Sequence, residues 1–313
     1  MRQPANNQRG LAMLATMMAV ALMTVLVVDF TYSTSASFRS SANQINALRE
    51  DYLARSGVNV GLGLLAQDAR NDALSQPAYD GLDELWAKPF PPLPVGGGTA
   101  ALSIVDETRK LNINQLVNAT NGVVNVAFAQ TLELLLQAIG VSPEILPAII
   151  DWLDQDSIES QGGAEADYYM RLIPPYEPRN GPMPTIADLR MIRGVDDPTF
   201  MRLREFLTAA PESKVNVNTA PPEVLMAMIP ELANQPSVLQ TVLEQRPFKT
   251  SGDLKAALGS LSEHANLASL FTTQSDYFTI TGVGSYSGAR SFVYATVRRN
   301  GVGPALLSSW HED

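Results

Sequence analysis

The sequence predicts an α+β protein in which one long N-terminal helix packs on a small antiparallel sheet, with a large α-helical domain inserted in that sheet. Three observations predict this fold. An uncharged apolar run near the N-terminus continues into a helical pattern, and apolar and polar residues alternate at two distant places in the chain. Between those two places the pattern is mostly helical.

Composition and charge limit the classes of function. With 313 residues and 45% hydrophobic content, the chain is long enough for one elaborate or two simple domains. A net charge of −10 argues against nucleic acid, because phosphate binding requires clustered Lys and Arg, and it favours divalent cations as partners. The absence of cysteine excludes disulfides, thiolate metal sites and cysteine nucleophiles.

The N-terminus carries the strongest physical signal. The 18 residues from Leu11 to Val28 are uncharged and apolar, and the leader of residues 1–10 holds Arg2 and Arg9 but no acidic residue. About 20 apolar residues cross a bilayer as a helix, and flanking arginines favour the cytoplasmic side. We therefore expect a membrane-spanning helix whose leader faces the cytoplasm, with the rest of the chain outside.

The helical pattern continues beyond this apolar run, to about Ala69, so residues 11–70 are interpreted as one transmembrane and stem helix. The apolar positions that carry the pattern are Phe38, Ile45, Leu48, Tyr52, Leu53, Val60 and Leu64. The alternative is a secretory signal peptide cleaved near Ser35-Ala36-Ser37. Against it stand the length of the apolar run and the uninterrupted helical pattern.

Two distant segments, 71–107 and 273–300, are predicted to form the sheet beside this helix. After a Pro- and Gly-rich loop, Thr99 to Val105 alternates like a strand. Tyr277 to Ser285 and Ala289 to Arg298 alternate in the same way around Ser287-Gly288, which predicts a hairpin. Residues 301–313 are expected to be a C-terminal tail.

The intervening residues 108–272 are predicted to be an α-helical insertion domain. Helical spacing of apolar residues occurs in five segments: Thr131 to Ile139, Ile145 to Leu153, Pro222 to Ile229, Val238 to Gln245 and Asp253 to Leu258. A weak internal repeat relates Leu111-Asn112-Ile113-Asn114 to Val215-Asn216-Val217-Asn218, each followed by helices. This repeat predicts two related helical units.

Several motifs in this sequence resemble those of a known protein family. Arg9-Gly10-Leu11 before an apolar helix resembles a prepilin signal. The chain resembles the minor pseudopilin K of type II secretion, the general secretion pathway protein K family. The stretches that carry the resemblance, in order over nearly the whole chain, are Asp106-Glu107 with Lys110 to Asn114, Asp151 to Asp156, Gly163 to Tyr169, and Val215 to Leu225.

The resemblance implies a pilin-type sheet and a non-enzymatic subunit that caps the tip of the periplasmic pseudopilus and promotes its assembly for protein export. It implies that a prepilin peptidase cleaves between Gly10 and Leu11 and that the new N-terminus, Leu11, is methylated. It places the chain in the bacterial inner membrane as a single-pass protein, with its bulk in the periplasm. The implied partners are the minor pseudopilins I and J, together with H and the major pseudopilin. We expect contacts with I and J on apolar stem faces such as Leu48, Tyr52 and Leu62.

One position departs from the usual pilin pattern. In most pilins the fifth residue of the mature chain is Glu, whose carboxylate neutralises the N-terminal amine of the preceding subunit within the membrane. Here that position is Ala15. A subunit without this carboxylate fits the fibre tip, where no subunit precedes it. The alternative is that Ala15 is only a lipid-facing residue.

An acidic run between Asp151 and Asp167 is the candidate metal site. Asp154, Asp156 and Glu165 stand at positions 1, 3 and 12 of an EF-hand-like count, a spacing that wraps oxygen ligands around Ca²⁺. The match is incomplete, because Ile158 and Glu159 occupy positions where an oxygen ligand and Gly are expected. Glu159, Asp167 or backbone carbonyls would supply the remaining ligands. The resemblance also implies calcium in this domain. The alternative is a solvated acidic loop.

The sequence also bears on two functions of other classes, DNA binding and catalysis. Val215 to Leu225 resembles a helix-hairpin-helix module, so the chain could be a membrane-anchored competence-type DNA-binding protein. However, Ile229-Pro230-Glu231-Leu232 replaces the Gly-rich hairpin, and Arg246 and Lys249 are isolated. An enzyme is disfavoured, because there are two histidines, no cysteine and no Gly-x-Ser-x-Gly motif, although Asp151 and Asp154 form a conceivable hydrolytic pair.

Overall fold

A single helix of 67 residues, α1 (Gln8–Leu74), dominates the structure, a computed structural model that describes residues 8–263, 266–299 and 306–312. Most of the leader, residues 1–7, lies outside these described residues. The helix extends five residues beyond the predicted end near Ala69. The N-terminal part of α1 is long and apolar enough to cross a membrane.

The remaining helices are shorter and lie between residues 126 and 270. They are α2 (Val126–Ala138), α3 (Leu146–Leu153), α4 (Ala166–Tyr169), α5 (Asp197–Phe206), α6 (Pro222–Met228), α7 (Pro236–Glu244), α8 (Ser251–Leu258) and α9 (Leu267–Leu270). Short 3₁₀ helices of three to six residues lie between several of them. The strands are β1 (Leu93–Val95), β2 (Gly98–Asp106), β3 (Leu111–Asn112), β4 (Leu207–Thr208), β5 (Val215–Asn216), β6 (Phe271–Thr272), β7 (Tyr277–Tyr286), β8 (Ala289–Arg298) and β9 (Leu306–Glu312).

The two halves of α1 have different surroundings. Among the described residues of α1, Glu50 is the first that is buried, so every residue from Gly10 to Arg49 is exposed or half-buried. Beyond it, Ala54, Val58 and Leu65 pack into the core of the sheet. The helix is therefore bare over its apolar half and covered only over its last 25 residues, where one face meets the sheet.

Five antiparallel strands form the sheet, in the order β1-β2-β7-β8-β9. Strand β2 and the hairpin β7–β8 confirm the predicted strand and hairpin, with the turn at Ser287-Gly288. Two strands of this sheet were not predicted. Strand β1 lies in the Pro- and Gly-rich loop, and β9 occupies most of the expected C-terminal tail, of which residues 301–305 and 313 lie outside the described residues.

Tertiary pairing explains both of these additional strands. The β1 sequence Leu-Pro-Val contains a proline, which is tolerated at a sheet edge where its missing N–H faces away from the ladder. The β9 sequence shows no alternation of apolar and polar residues, but the outer edge of β8 offers unpaired N–H and C=O groups. The sequence alone does not show that an edge is available.

Glycines bring α1 unusually close to β7. A Cβ atom placed on Gly282 would lie 2.0 Å from the Ala54 carbonyl oxygen, and one on Gly284 would lie 1.9 Å from the Glu50 carbonyl oxygen. Gly57 of α1 faces the Ala101 carbonyl oxygen of β2 in the same way, at 2.6 Å. The helix backbone therefore rests directly on the sheet backbone, which any larger side chain at these positions would prevent.

The helical domain has its own core, separate from that beneath the sheet. The predicted helical segments correspond to α2, α3, α6, α7 and α8. The repeated sequences begin with β3 and β5, and each of these pairs in parallel with a strand near the end of its unit, β3 with β4 and β5 with β6. Each unit is thus enclosed by one two-residue parallel pair.

The insertion leaves and re-enters the sheet at neighbouring points. Strand β2 ends at Asp106, opposite Phe278, and the Glu107 N–H donates to the Tyr277 carbonyl at 2.9 Å. The buried Asp106 carboxylate accepts hydrogen bonds from the Thr108 N–H at 2.7 Å and from the Ser275 hydroxyl at 2.6 Å. One carboxylate therefore joins the exit and the return of the inserted domain.

We expect Gly284→Ala to destabilise the folded domain by roughly 1–3 kcal/mol, because its methyl group would overlap the helix backbone at Glu50. Gly63→Ala is the matched control on the same helix, because a Cβ there meets nothing within 4 Å. Alanine at an open helical position stabilises by up to about 1 kcal/mol. Denaturant unfolding of both variants in detergent measures the difference, and equal stabilities would contradict the close packing.

Candidate functional site

The sequence-predicted processing and assembly positions lie on the bare half of α1. Gly10, Leu11 and Ala15 are all helical and exposed. No side chain from Leu11 to Val28 carries a charge, so this segment presents only apolar groups, hydroxyls and sulfur atoms to its surroundings. Within the described residues, nothing else in the chain covers this segment.

Farther along α1, two helical turns carry an exposed apolar face. Ile45, Leu48 and Tyr52 recur at spacings of three and four residues, which places them on one side of the helix. Leu48 is 57% exposed and Tyr52 is 67% exposed. Leu62 was expected on the same partner-binding surface, and this expectation was wrong, because Leu62 is half-buried against the chain's own sheet core.

The candidate metal site lies in the loop between α3 and α4. Asp154 is the residue that ends α3, and Glu165 is the residue that precedes the first turn of α4. Asp154, Asp156 and Glu165 each offer a carboxylate oxygen within 4.8 Å of the others. The structure therefore brings together the three residues that the EF-hand-like count identified, although the loop between them differs from an EF-hand.

Buried oxygens without partners indicate that this cluster is incomplete by itself. Glu165 is 4% exposed, and within the described chain neither of its carboxylate oxygens has a hydrogen-bond partner. Oδ1 of Asp154 is also buried without a partner there. Buried polar atoms are almost always paired, so these oxygens fit a bound cation, and an all-oxygen set suits Ca²⁺.

The electrostatics agree with that geometry. Burial raises the pKa of Glu165 to about 7, with the nearby Asp151 and Asp154 carboxylates adding to the shift. Burial likewise raises the pKa of Asp154 to about 6, and Asp156 and Asp151 raise it further. Each carboxylate is thus costly to ionise in the absence of a positive charge, which a divalent cation would supply.

Two of the predicted ligands lie apart from the cluster. Glu159 is exposed and lies 3.9 Å from the Arg193 guanidinium, and Asp167 is exposed in the first turn of α4. Sequence reasoning also missed Asn180, whose amide nitrogen donates to the Asp156 carbonyl at 2.7 Å. Its Oδ1 atom is buried with no partner among the described residues, so it is a further candidate ligand. Asn180 is 24 residues from Asp156 and carries no local pattern that would connect the two.

Asp151 shapes the loop rather than joining the cluster. It is fully buried, and its carboxylate accepts a hydrogen bond from the Ser160 N–H at 3.1 Å. A Cβ atom on Gly163 would lie 1.9 Å from Oδ2 of Asp151, so only glycine fits at that point of the loop. On the other side of the loop, the Arg193 guanidinium donates to the Gly163 carbonyl at 2.7 Å. Of the conceivable hydrolytic pair, Asp151 therefore has a structural role, whereas Asp154 belongs to the carboxylate cluster.

The segment that resembles a DNA-binding module has a structural role. The Asn216 side chain is buried and donates to the Ser275 hydroxyl at 2.7 Å, and that of Asn218 donates to the Phe248 carbonyl at 2.9 Å. Oδ1 of the Asn216 side chain accepts from the Asn218 N–H and holds a turn, but neither side chain caps α6, whose N-cap is Pro221.

Comparison with known proteins agrees with these features. Two family models described as type II secretion system protein K match residues 109–212 and 215–274, together more than half of the chain. Type II secretion system protein K of Pseudomonas aeruginosa is 26% identical over 301 residues, covering 94% of this chain and 89% of that protein. The Pectobacterium carotovorum protein of the same name is 29% identical over 221 residues, covering 68% and 66%.

A solved structure has the same fold. It is the crystal structure of the GspK-GspI-GspJ complex from the type 2 secretion system of enterotoxigenic Escherichia coli, and the match covers 87% of this chain and 99% of that one. The TM-score is 0.72 and the sequence identity is 18%.

A long apolar N-terminal helix on a small antiparallel sheet defines the class as pilin-like, and the inserted helical domain distinguishes it within that class. The chain belongs to the type II secretion system protein K family and is a minor pseudopilin. The DNA-binding alternative is not supported by these comparisons.

Proposed function

We propose that this chain caps the tip of a periplasmic pseudopilus and promotes its assembly for protein export. Before assembly, Leu11 to Val28 would anchor it in the bacterial inner membrane, with the rest of the chain in the periplasm. A prepilin peptidase would cleave between Gly10 and Leu11 and methylate Leu11. The chain would act as a structural subunit rather than an enzyme.

The observation that carries this proposal is the absence of a carboxylate at Ala15. In a fibre, the amine of each mature subunit enters a low-dielectric bundle of helices, where an unpaired charge is costly. A neighbouring carboxylate relieves this cost for the subunit ahead. A chain with alanine at this position cannot provide that carboxylate, so the arrangement favours a position with no subunit ahead.

The placement of the helical domain supports the same position. Strand β7 runs along α1 with Gly284 near Glu50 and Ile280 near Gly61, so the Tyr277 end of the sheet lies toward the C-terminal end of α1. The insertion leaves and returns at that end. The bulk of the chain therefore sits at the end of the stem farthest from the apolar segment, where a cap would face outward.

Minor pseudopilins I and J are the proposed direct partners, with H and the major pseudopilin below them. The similar protein in the solved complex is assembled with GspI and GspJ. In this chain, the exposed face of Ile45, Leu48 and Tyr52 on α1 offers an apolar strip farther along the stem than the membrane segment. Burial of such a strip against other stem helices would provide a driving force for association.

Calcium is proposed as a structural cation at Asp154, Asp156 and Glu165, with Asn180 as a further ligand. Its chemistry would be limited to charge neutralisation and coordination, which would hold the end of α3 beside the start of α4. The support is the group of buried oxygens without partners in the described chain. Glu159 and Asp167, the other candidates from the sequence, lie outside this group.

The tip position is tested by introducing the missing carboxylate at position 15. We expect Ala15→Glu to let the chain enter the body of the fibre, so that it cross-links to subunits on both sides, whereas the wild type cross-links on one side only. Ala19→Glu is the control, because it places the same carboxylate one helical turn away. In vivo cross-linking in a secreting strain measures the positions. An unchanged pattern in Ala15→Glu, or the same change in both variants, would refute the charge argument.

The stem interface is tested by introducing a charge on its apolar face. We expect Leu48→Glu to reduce recovery of I and J with the full chain by about tenfold or more, because the interface would bury an unpaired carboxylate. Leu74→Glu is the control, since Leu74 is 87% exposed at the end of α1 and far from that face. Co-purification in detergent gives the yields. Equal recovery with both variants would place the interface elsewhere.

The calcium proposal is tested by a local measurement on the full chain. We expect Ca²⁺ to slow amide hydrogen exchange across residues 155–164, by up to about 100-fold at a concentration 100 times the Kd. Glu165→Gln should abolish this protection, whereas Glu159→Gln should keep it, because Glu159 lies outside the cluster. A wild-type loop whose exchange is indifferent to Ca²⁺ would overturn the proposal.

A further inference from the structure

A second group of carboxylates gathers where α1 ends and the helical domain is attached. Asp68 and Asp72 project from the last turns of α1, and Asp80 and Glu84 follow it in the chain. One cation among the described residues, Arg299, contacts this group: its guanidinium lies 2.9 Å from Asp68, 3.3 Å from Asp72 and 2.5 Å from Asp80. Four carboxylates thus share one positive charge.

The position of Asp80 makes this imbalance costly. Asp80 is 0% exposed, and its Oδ2 atom accepts from both Arg299 and the Ser275 N–H, the latter at 2.7 Å. Its other oxygen, Oδ1, is buried without a hydrogen-bond partner anywhere in the described chain. A fully buried carboxylate oxygen left unpaired is rare in native proteins and calls for a missing ligand.

The geometry of the neighbouring carboxylates suits a metal ion. Asp68, Asp80 and Glu84 each offer an oxygen within 4.8 Å of the other two. Two oxygens that coordinate one Ca²⁺ at about 2.4 Å each can be at most about 4.8 Å apart, so the spacing of these three oxygens meets the condition for binding one ion together. The set contains only oxygen atoms, which Ca²⁺ prefers and Zn²⁺ does not.

The protonation equilibria of these groups agree with a shortage of positive charge. Burial raises the pKa of Asp68 to about 8, and Glu84, Asp80 and Asp72 raise it further against the opposing effect of Arg299. Burial likewise raises the pKa of Glu84 to about 7. Asp106 lies close to this group, because Ser275 donates its hydroxyl to Asp106 and its N–H to Asp80.

We propose that Asp68, Asp80 and Glu84 form a divalent-cation site, selective for Ca²⁺, that fastens the end of α1 to the root of the helical domain. The site is distinct from the loop at Asp154, and no residue is shared between them. Arg299 remains in place and neutralises Asp72, while the ion engages the oxygens that face away from the guanidinium.

The proposed ion would act on the joint between the two parts of the molecule. The Asp80 N–H donates to the Thr273 carbonyl at 2.8 Å, and the Asp80 carbonyl accepts from the Asn216 side chain at 3.1 Å. Asp80 therefore touches both the start and the end of the second helical unit. Linking it to Asp68 through an ion would fix the direction in which the helical domain projects from the stem.

The test separates this site from the loop site by working in a background that lacks the latter. The full chain carrying Asp154→Asn and Glu165→Gln, in detergent, is titrated with CaCl₂ by calorimetry. Into this background we introduce Glu84→Gln or Asp68→Asn. The Glu84→Gln amide keeps an oxygen that can accept from the Trp86 indole and the Gly81 N–H, as Oε2 does now at 2.9 and 3.0 Å. Asp72→Asn is the matched control, because Asp72 contacts Arg299 but is not one of the three ligands.

We expect the background chain to bind one Ca²⁺, and each ligand variant to weaken that binding by at least about tenfold, while Asp72→Asn changes it by less than about twofold. The proposal is overturned if the background shows no binding tighter than about 1 mM, or if Asp72→Asn weakens binding as much as Glu84→Gln does. If the loop at Asp154 holds no calcium, the wild type and the background chain bind Ca²⁺ equally. Failure of the loop proposal therefore does not affect the test of the site at Asp68, Asp80 and Glu84.

A second measurement guards against variants that fold poorly. Terbium substitutes for calcium, and Trp86 lies within hydrogen-bond distance of Glu84, so its excitation should sensitise Tb³⁺ emission at this site. We expect emission from the background chain, loss of that emission on adding excess CaCl₂, and little emission from Glu84→Gln. Emission that Glu84→Gln leaves unchanged would contradict the site even if calorimetry were inconclusive.

Discussion

The structure depends on the buried carboxylate of Asp106, because it closes the loop of a very large insertion. About half of the chain leaves the sheet after β2 and returns before β7, and the two points are neighbours on antiparallel strands. The Asp106 carboxylate receives the Thr108 N–H from the outgoing chain, the Ser275 hydroxyl from the returning chain, and the Thr219 hydroxyl and Asn216 amide from the second helical unit. Burial raises its pKa to about 6, and these donors oppose that shift by stabilising the charged form. A charge held in this way makes the joint specific, since few other arrangements would satisfy it.

The stem helix serves two environments with one continuous secondary structure. Over its first half, all backbone groups are satisfied within the helix and the side chains are apolar, which is what a bilayer or a bundle of similar helices demands. Over its second half, glycines on β7 let the helix lie against the sheet backbone, and Val58 and Leu65 fill the core between them. The exposed strip of Ile45, Leu48 and Tyr52 lies between these halves, covered neither by the sheet nor by the apolar segment. This position suits contact with other stems.

Both carboxylate clusters follow from the same physical conflict. Folding buries Glu165 and Asp154 in one place and Asp80 in another, and in each case oxygens are left without donors among the described residues. The acidic chain has few cations to spare, with 22 Lys and Arg against 32 Asp and Glu. Divalent ions from the surroundings would resolve the conflict at both places. The loop site would then stiffen the helical domain internally, and the junction site would fix how that domain projects from the stem.

The sequence by itself determined the features that local pattern can express. The apolar run, the continuation of α1, strand β2, the β7–β8 hairpin and five helical segments were predicted from residue periodicity, and Asp154, Asp156 and Glu165 from spacing in one loop. Only the tertiary structure decided which further groups meet. Asn180 joins Asp156, Arg299 reaches Asp68 from 231 residues away, and β9 adds to the edge of β8. It also placed Leu62 against the sheet and left Glu159 and Asp167 outside the metal cluster. The reason is that periodicity reports only which face of an element is apolar, whereas the packing of distant segments decides what each face touches.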